Sequence, residues 1–267
     1  MIYINGTPLN VTMFPDNTSQ VWKVSTLEIP DTNWVHVKWE YSHEGEFMQL
    51  AQLKTLLDAK GFRSALRIKY LPYGRQDKEV SNTATFALRT FASLLNTLGF
   101  EEVIIMDPHS EIALDLIVHS RAEYPGTLIG RVGTQTNAYV VCYPDKGAVA
   151  KYTKKYSFPY IYGEKVRDQL TGNILSYELM GFTEDMKGKS ILIVDDICDG
   201  GMTFKILAKD LLAAGAKEVN LFVTHGIFSK GIRTLNESGI NKVFTQDGQA
   251  IHDKNGPYAL LPFNKQG

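Results

Sequence analysis

The residues best suited to chemistry lie at positions 191–204, which read I-L-I-V-D-D-I-C-D-G-G-M-T-F. The aliphatic run predicts a buried parallel strand, and the paired glycines let the backbone approach a ligand closely. A helical pattern begins near Thr203, and the N-terminus of a helix favours a phosphate. Asp195 and Asp196 are placed to meet ribose hydroxyls or a magnesium ion. These features predict a site for a sugar 5-phosphate, and the alternative is an ordinary strand–turn–helix with a solvated acidic turn. The residues assigned to the site are Asp195, Asp196, Asp199, Gly200, Gly201, Met202 and Thr203.

A second polar run follows the strand-and-turn sequence Y-L-P-Y-G and consists of Arg75, Gln76, Asp77 and Lys78. Arg75 and Lys78 can contact a polyphosphate, and an arginine can do so with two hydrogen bonds. The amide of Gln76 can both donate to and accept from the edge of a base. On these four residues alone, a charged surface turn remains the alternative.

Three further polar segments come after strand candidates. His109 lies in M-D-P-H-S, Asp145 in Y-P-D-K-G-A-V-A-K-Y, and Lys165 and Arg167 in G-E-K-V-R-D-Q. A lone histidine after a strand is more often structural than functional. The basic pair follows a strand candidate at 160–162 and precedes a chain reversal, and a solvated basic edge would look the same.

Strand-like runs that alternate with amphipathic helical stretches indicate an α/β fold with mainly parallel sheets and flanking helices. Helices are expected at 47–60, 83–98, 203–214 and 230–238, and strands at 65–70, 102–106, 139–143, 190–194 and 218–224. In the second helix, helical spacing predicts that five residues face the core: Phe86, Ala87, Phe91, Leu94 and Leu95.

Two α/β units of similar plan are expected, with a boundary in the glycine cluster at 126–133, giving units 1–128 and 129–267. Ligands bind at the carboxyl ends of parallel strands. The loops at 73–80, 107–110, 144–148 and 199–203 all follow strand candidates, so we expect them to converge on one site.

Composition narrows the class of protein. The 267 residues carry a net charge of -1, with 44% hydrophobic and 21% charged residues, which is ordinary for a soluble globular protein. Nothing indicates a general affinity for nucleic acid or for an anionic membrane, and no window is long enough to span a membrane. The two cysteines, Cys142 and Cys198, are expected to be small buried residues. A cytoplasmic location is the default expectation.

Five motifs and the glycine loop at 199–203, in order along residues 14–244, resemble those of the ribose-phosphate pyrophosphokinases. The glycine loop at 199–203 also resembles that of type I phosphoribosyltransferases, but P-Y-G-R-Q-D-K is similar to Y-x-R-Q-D-[KR], which those transferases generally lack. M-D-P-H-S is similar to D-L-H-[AS], Y-P-D-K-G-A to S-P-D-x-G-[GA], and K-V-R to K-x-R. The first motif, F-P-D-N-T, is similar to F-[SP]-D-G-E. The resemblance implies two phosphoribosyltransferase-like units, with ATP on the N-terminal unit and the sugar phosphate on the C-terminal one.

The resemblance also implies a role for each matching residue. His109 and Asp145 would bind Mg²⁺, and Lys165 and Arg167, at the start of a mobile loop, would act with His109 in catalysis. Phe14 would reach the ATP site of a neighbouring subunit and stack on adenine, although an apolar residue near an N-terminal turn would look the same. The implied ATP-binding residues are Phe14, Asp16, Arg75, Gln76, Asp77 and His109.

The implied activity is transfer of the β,γ-diphosphoryl group of ATP to the anomeric hydroxyl of a ribose 5-phosphate unit, with release of AMP. The expected partners are small substrates and further copies of the chain, in a homodimer or a larger homo-oligomer. A phosphoribosyltransferase and a catalytically silent regulatory homologue are the rival functions.

The acceptor remains open between ribose 5-phosphate and ADP-ribose. The family typically reads D-T-G-G-T where residues 199–203 read D-G-G-M-T. A hydroxyl bonded to a phosphate contributes about 1.5–3 kcal/mol, so its loss weakens the hold on a terminal phosphate. A phosphodiester such as that of ADP-ribose needs fewer donors and more room. Short phage homologues that rebuild NAD use ADP-ribose, and a phage-encoded protein would act in the host cytoplasm.

Overall fold

The computed structural model describes residues 1–22, 33–167, 174–253 and 258–263, without the side chains of Arg167, Ile174 and Leu175. The chain divides into two compact units, Met1–Tyr124 and Pro125–Gly267. This division comes four residues before the expected one at 128/129, which falls within the helix Gly126–Gln135.

In the residues that the structure describes, the first unit contains a six-stranded sheet, a separate hairpin and three helices. The sheet order is β2-β1-β5-β6-β7-β8; β5 to β8 run parallel, and β1 and β2 form an antiparallel edge. The hairpin consists of β3 and β4. The elements are β1 (Ile2–Ile4), β2 (Thr7–Pro8), β3 (Val11–Met13), β4 (Ser19–Val21), β5 (Trp34–Trp39), α1 (Gly45–Ala59), β6 (Arg63–Ile68), α2 (Ala87–Asn96), β7 (Glu102–Met106), α3 (Ile112–Leu116) and β8 (Ser120–Glu123).

The second unit contains an eight-stranded sheet in the order β11-β10-β9-β12-β13-β14-β15-β16. The five strands from β10 to β14 in this order are parallel, and the strands outside them pair antiparallel. The elements are α4 (Gly126–Gln135), β9 (Ala138–Tyr143), α5 (Lys146–Tyr152), β10 (Tyr160–Arg167), β11 (Ile174–Met180), a 3₁₀ turn (Glu184–Met186), β12 (Ser190–Cys198), α6 (Met202–Ala213), β13 (Glu218–Gly226), α7 (Arg233–Asn236), β14 (Ile240–Thr245), β15 (Gly248–Ile251) and β16 (Ala259–Leu261).

Strand β12 lies at the centre of the second unit and is buried on both faces. Ile191 and Ile193 pack into a core that includes Phe204 of α6, whereas Leu192 and Val194 pack into another core with the tyrosines of β9 and α5. Successive side chains of a strand point to opposite faces. The pleat therefore separates Asp195 from Asp196, sending the first toward the α6 face and the second toward the α5 face.

Several sequence predictions are confirmed, and several need correction. The mainly parallel α/β fold, the helices α1 and α6, and both cysteines as buried thiols agree with the structure. Helix α2 is shorter than 83–98, and its Leu94 is 51% exposed because the buried face runs through Leu88, Phe91 and Leu95. Helix α7 covers only Arg233–Asn236 of the expected 230–238.

Two differences affect the site directly. Strand β10 continues beyond the predicted 160–162 to Arg167 because it pairs antiparallel with β11. Lys165 therefore lies on a strand and not at the start of a loop. The expected loop at 144–148 is short, because α5 begins at Lys146.

Gly163 of β10 provides a test of the packing that supports this strand. A Cβ at this position would lie 2.4 Å from the Tyr177 ring and 3.2 Å from Leu207. Gly163→Ala should lower the free energy of unfolding by about 1–3 kcal/mol, measured by denaturant titration. In the matched control Gly133→Ala, the added Cβ meets nothing within 4 Å on helix α4. That variant should be as stable as the wild type or more so. Equal stabilities of the two variants would contradict the packing described here.

Candidate active site

Asp145 joins the carboxyl end of β9 to helix α5. It is the N-cap of α5, where its Oδ1 accepts the Ala148 amide at 3.0 Å. Its Oδ2 accepts a hydrogen bond from Lys165 Nζ of β10 at 2.6 Å. The helix start and the neighbouring strand thus fix both oxygens of one carboxylate, at the edge where β9 and β10 end.

The electrostatics of Asp145 are a balance of opposing effects. Burial, the largest effect, raises the pKa of its carboxyl, but the Lys165 ammonium and the backbone amides of Ala148 and Gly147 together hold the pKa below its ordinary value. The carboxylate is therefore charged at neutral pH and forms a charge-assisted hydrogen bond to Lys165.

Asp196 has a lysine partner on the α5 side of the sheet. Its Oδ2 lies 3.2 Å from Lys151 Nζ, and the two side chains are only 7% and 15% exposed, respectively. Charged side chains are rarely this buried without a partner. The ion pair thus connects the carboxyl end of β12 to the last turn of α5.

Asp195, the neighbouring aspartate, has the opposite electrostatic environment. Burial, followed by the nearby charges of Asp196 and Asp145, raises the pKa of its carboxyl well above the ordinary value. Its Oδ1 accepts the backbone amide of Asp196 at 2.9 Å. Three carboxylates and two lysines are therefore gathered at one edge of the second sheet.

The loop from β12 to α6 is shaped by Gly201. This residue has φ +75°, and a Cβ would lie 2.6 Å from Leu235, so glycine fits both the backbone and the space. The carbonyl of Cys198 accepts the amides of Ile227 and Phe228, which fixes the loop to the end of β13. Helix α6 then begins at Met202 and presents its N-terminus beside the carboxylates, where an anion is favoured.

In the first unit, the polar run at 75–78 lies in the turn after β6. Tyr73 begins it with φ 62° and donates from its hydroxyl to Glu44 at 2.5 Å, and this bond with burial raises the pKa of Tyr73 to about 12. The carbonyl of Gln76 accepts the Leu88 amide of α2. The backbone of the turn is thus held at both ends, whereas the side chains of Arg75 and Gln76 are exposed and that of Asp77 is half-buried.

The other predicted site residues of the first unit lie after β7 and on the β3–β4 hairpin. Asp107 follows β7 and is buried, and its backbone amide donates to the backbone carbonyl of Glu123 at 2.7 Å. His109, two residues later, is exposed. Phe14, 40% exposed, lies at the tip of the β3–β4 hairpin. There, Asp16 accepts from the amide and hydroxyl of Thr18, which lowers the pKa of its carboxyl.

Comparisons with known proteins identify the family. A model of the phosphoribosyl transferase domain matches residues 142–257. Ribose-phosphate pyrophosphokinase 2 of Schizosaccharomyces pombe is 32% identical over 221 residues, which cover 77% of this chain and 67% of that relative. Ribose-phosphate pyrophosphokinase of Saccharolobus solfataricus is 24% identical over 249 residues, covering 91% of this chain and 84% of the relative. The chain belongs to the ribose-phosphate pyrophosphokinase family.

Membership in this family makes the chain a transferase enzyme. Its fold agrees with the crystal structure of phosphoribosylpyrophosphate synthetase from Mycobacterium smegmatis, with a TM-score of 0.69 and 22% identity. That match covers 89% of this chain and 79% of the other. In the part of the chain that the structure describes, no helix is long and apolar enough to cross a membrane.

Within the second unit, the structure brings Asp145, Lys165, Asp195 and Asp196 to the same edge of the sheet. The side chain of Arg167 lies outside the described residues. In the first unit, the predicted residues lie after β6, after β7 and on the hairpin.

Lys151 is the residue that sequence reasoning missed. Ala148, Lys151 and Tyr152 follow the i, i+3, i+4 spacing of a buried helical stripe. A lysine on such a stripe signals a buried partner. The signal was hidden because residues 144–148 were assigned to a loop.

Metal binding at this edge would depend on few protein ligands. Among the described residues, no group of three or more His, Cys, Asp and Glu side chains is arranged to hold a metal ion. Magnesium prefers oxygen ligands and retains several waters, so a site made from one carboxylate and substrate phosphates suits it. The charged carboxylate of Asp145 fits that pattern.

The electrostatics described here predict distinct titrations. By carbon-detected NMR without metal, the Asp145 carboxyl should titrate below its ordinary range and Asp195 above it. In Lys165→Met, the pKa of Asp145 should rise, because burial persists and the ammonium is lost. An Asp145 titration that did not respond to Lys165→Met would contradict the ion pair.

Proposed function

We propose that the protein transfers the β,γ-diphosphoryl group of ATP to the anomeric 1-hydroxyl of a ribose 5-phosphate unit and releases AMP. The observation that carries this proposal is the edge of the second sheet. There, the N-terminus of α6, the carboxyl groups of Asp195 and Asp196, and the Asp145–Lys165 pair come from neighbouring elements of the sheet. The names of the relatives, ribose-phosphate pyrophosphokinases, support it.

A phosphoribosyltransferase would account for only part of the chain. It uses a glycine loop before a helix, as at 199–203, but gives no purpose to Arg75, His109 or the cations of β10. A catalytically silent homologue would be expected to lose such groups, yet His109, Asp145, Lys165 and Arg167 are all present.

The acceptor sugar is assigned to residues 195–203. The terminal phosphate meets the free amides at the start of α6, where the helix dipole favours negative charge. Asp195 and Asp196 take the ribose hydroxyls. With the sugar held at both ends, its 1-hydroxyl is presented toward the cations of β10, Lys165 and Arg167.

ATP is assigned to the exposed side chains after β6 and β7. Arg75 binds the polyphosphate, Gln76 the base edge, and Asp77 and His109 complete the set. Phe14 and Asp16 on the hairpin belong to the ATP site of a neighbouring copy, which requires a homodimer or a larger homo-oligomer. The exposed ring of Phe14 at a hairpin tip supports this assignment.

Magnesium is assigned to Asp145 and His109, and when bound it would neutralise phosphate charge and orient ATP. The chain's own contribution is positioning. The hydroxyl oxygen bonds to the β-phosphorus as the bond from that phosphorus to the AMP oxygen breaks, in line, and the hydroxyl proton is released to solvent. Lys165 and Arg167 stabilise the negative charge that develops on the transferred group. No covalent enzyme intermediate is needed.

The activity is tested by product identification. The protein is incubated with ATP and Mg²⁺, together with ribose 5-phosphate or ADP-ribose and without a nucleobase, and the products are identified by mass. We expect AMP and a sugar 1-diphosphate in equal amounts. ADP as the only nucleotide product, or a requirement for a nucleobase, would overturn the proposal.

Lys165 should be needed for turnover but not for nucleotide binding. Lys165→Ala should lower kcat by about 10²–10³-fold, the usual cost of losing one donor to transition-state charge. The Kd for ATP, measured by calorimetry, should remain within about threefold of wild type because ground-state contacts lie elsewhere. Lys209→Ala, an exposed lysine of α6, is the matched control. Wild-type rates in Lys165→Ala would remove the assigned role.

ADP-ribose is a second candidate acceptor, and Met202 is the observation that favours it. Met202 occupies the first position of α6 and is 63% exposed, so its side chain limits the donors that can surround a terminal phosphate. A phosphodiester needs fewer such donors. Use of ADP-ribose would place the protein in NAD salvage, as in the short phage homologues.

Substitutions in the loop at 199–203 should change the preference between ribose 5-phosphate and ADP-ribose. A Cβ at Gly200 meets only Lys230, at 3.6 Å, so threonine fits there without strain. Gly200→Thr combined with Met202→Gly should raise kcat/KM for ribose 5-phosphate relative to ADP-ribose by about tenfold or more, as one bond to a charged phosphate is worth. An unchanged ratio in competition assays would show that the loop does not choose the acceptor.

A further inference from the structure

Lys151 and Asp196 form an ion pair that none of the assigned roles uses. The side chains are among the most enclosed charges at this edge, with Nζ and Oδ2 3.2 Å apart. Removing two charges from water is costly, and a buried ion pair often contributes little net stability compared with apolar residues of the same volume. Stability alone is therefore a weak reason for a lysine at this position.

The surroundings of the pair hold it in one place. Tyr143 and Tyr152 stack with ring centroids 5.7 Å apart, and Lys151 Nζ lies 5.2 Å from the centre of the Tyr152 ring. Both rings are fully buried in the core on the α5 side. Lys151 Nζ thus lies between the Tyr152 ring and the Asp196 carboxylate near the end of β12.

The pair also determines how charge is divided among the three aspartates. Lys165 binds Asp145, and Lys151 binds Asp196. Asp195, whose pKa is raised by burial and by its two acidic neighbours, forms neither of these ion pairs among the described residues, and it accepts the Asp196 amide. The two adjacent aspartates thus differ: Asp196 is held by a cation, whereas Asp195 faces the α6 side.

Helix α5 links the two ends of this arrangement. Its N-cap is Asp145, which is assigned to the diphosphate side of the site. Its last turn carries Lys151, which forms the ion pair with Asp196. Seven helical residues span about 10 Å at 1.5 Å per residue. A single rigid element therefore sets the position of both groups.

We infer that Lys151 is a positioning residue for the acceptor sugar, fixing the Asp196 carboxylate in the orientation that receives the ribose hydroxyls. This role rests on the proposed function, since it assumes that the sugar lies on residues 195–203. Lys151 acts through Asp196, so its loss raises the KM of the acceptor and leaves the binding of ATP unchanged.

The test compares Lys151→Met, which keeps the length of the side chain and removes its charge, with Lys151→Arg and with Lys154→Met as the exposed control from the same segment. In Lys151→Met, the acceptor KM should rise about tenfold or more, and the ATP KM should stay within about twofold. Lys151→Arg should restore the acceptor KM to within about threefold, and Lys154→Met should match the wild type. A normal acceptor KM in Lys151→Met, or equal rises in both KM values, would overturn the inference.

A double-mutant cycle covers the case in which Lys151→Met is too unstable to measure. Lys151→Met with Asp196→Asn leaves no unpaired buried charge and should fold. Its acceptor KM should stay close to that of Asp196→Asn alone, because the role inferred for the lysine runs through this aspartate. A further rise in the double variant would contradict the inference.

Calorimetry separates this inference from the proposed activity. Titration of ribose 5-phosphate and of ADP-ribose into wild type and Lys151→Met measures acceptor affinity without turnover. If the wild type released no AMP, the diphosphokinase function would fail. A wild-type Kd in Lys151→Met for the acceptor that binds would instead reject Lys151 as a positioning residue.

Discussion

The site depends on lysine ammonium groups that offset the charge of crowded carboxylates at the carboxyl edge of one parallel sheet. Asp145, Asp195 and Asp196 lie together where water is partly excluded, and like charges in such a place repel strongly. Lys165 forms an ion pair with Asp145, and Lys151 forms one with Asp196. Each lysine lies on an element that packs against the sheet or belongs to it. Before any substrate arrives, the edge is thus an ordered array of opposite charges, which is the kind of preorganisation that phosphoryl transfer uses.

The fold creates this array by ordinary means. A strand buried on both faces sends neighbouring side chains in opposite directions, so Asp195 and Asp196 serve different sides of the sheet although they are adjacent in sequence. The glycine turn after Cys198 then brings a helix N-terminus to the same edge. The groups proposed to bind the anion and the hydroxyls therefore come from one strand–turn–helix segment.

Much of this could be predicted from the sequence, because aliphatic runs and glycine turns are local signals. The central strand and helix α6 follow from such patterns, but β12 continues past the predicted 190–194 to Cys198, so Asp195 lies within the strand. The length of β10 could not be predicted, because it depends on antiparallel pairing with β11. Leu94 was wrongly assigned to the core because helical spacing alone does not mark where a buried face ends. Lys151 was missed because its partner is 45 residues away in sequence.

We propose that the substrates bind at these paired charges on the edge of the second sheet. The most direct test is a crystal structure of the protein with Mg²⁺, a non-hydrolysable ATP analogue and ribose 5-phosphate. We expect the sugar phosphate on the N-terminus of α6, its hydroxyls on Asp195 and Asp196, and the Lys151–Asp196 ion pair retained. Sugar density elsewhere on the protein would contradict the account.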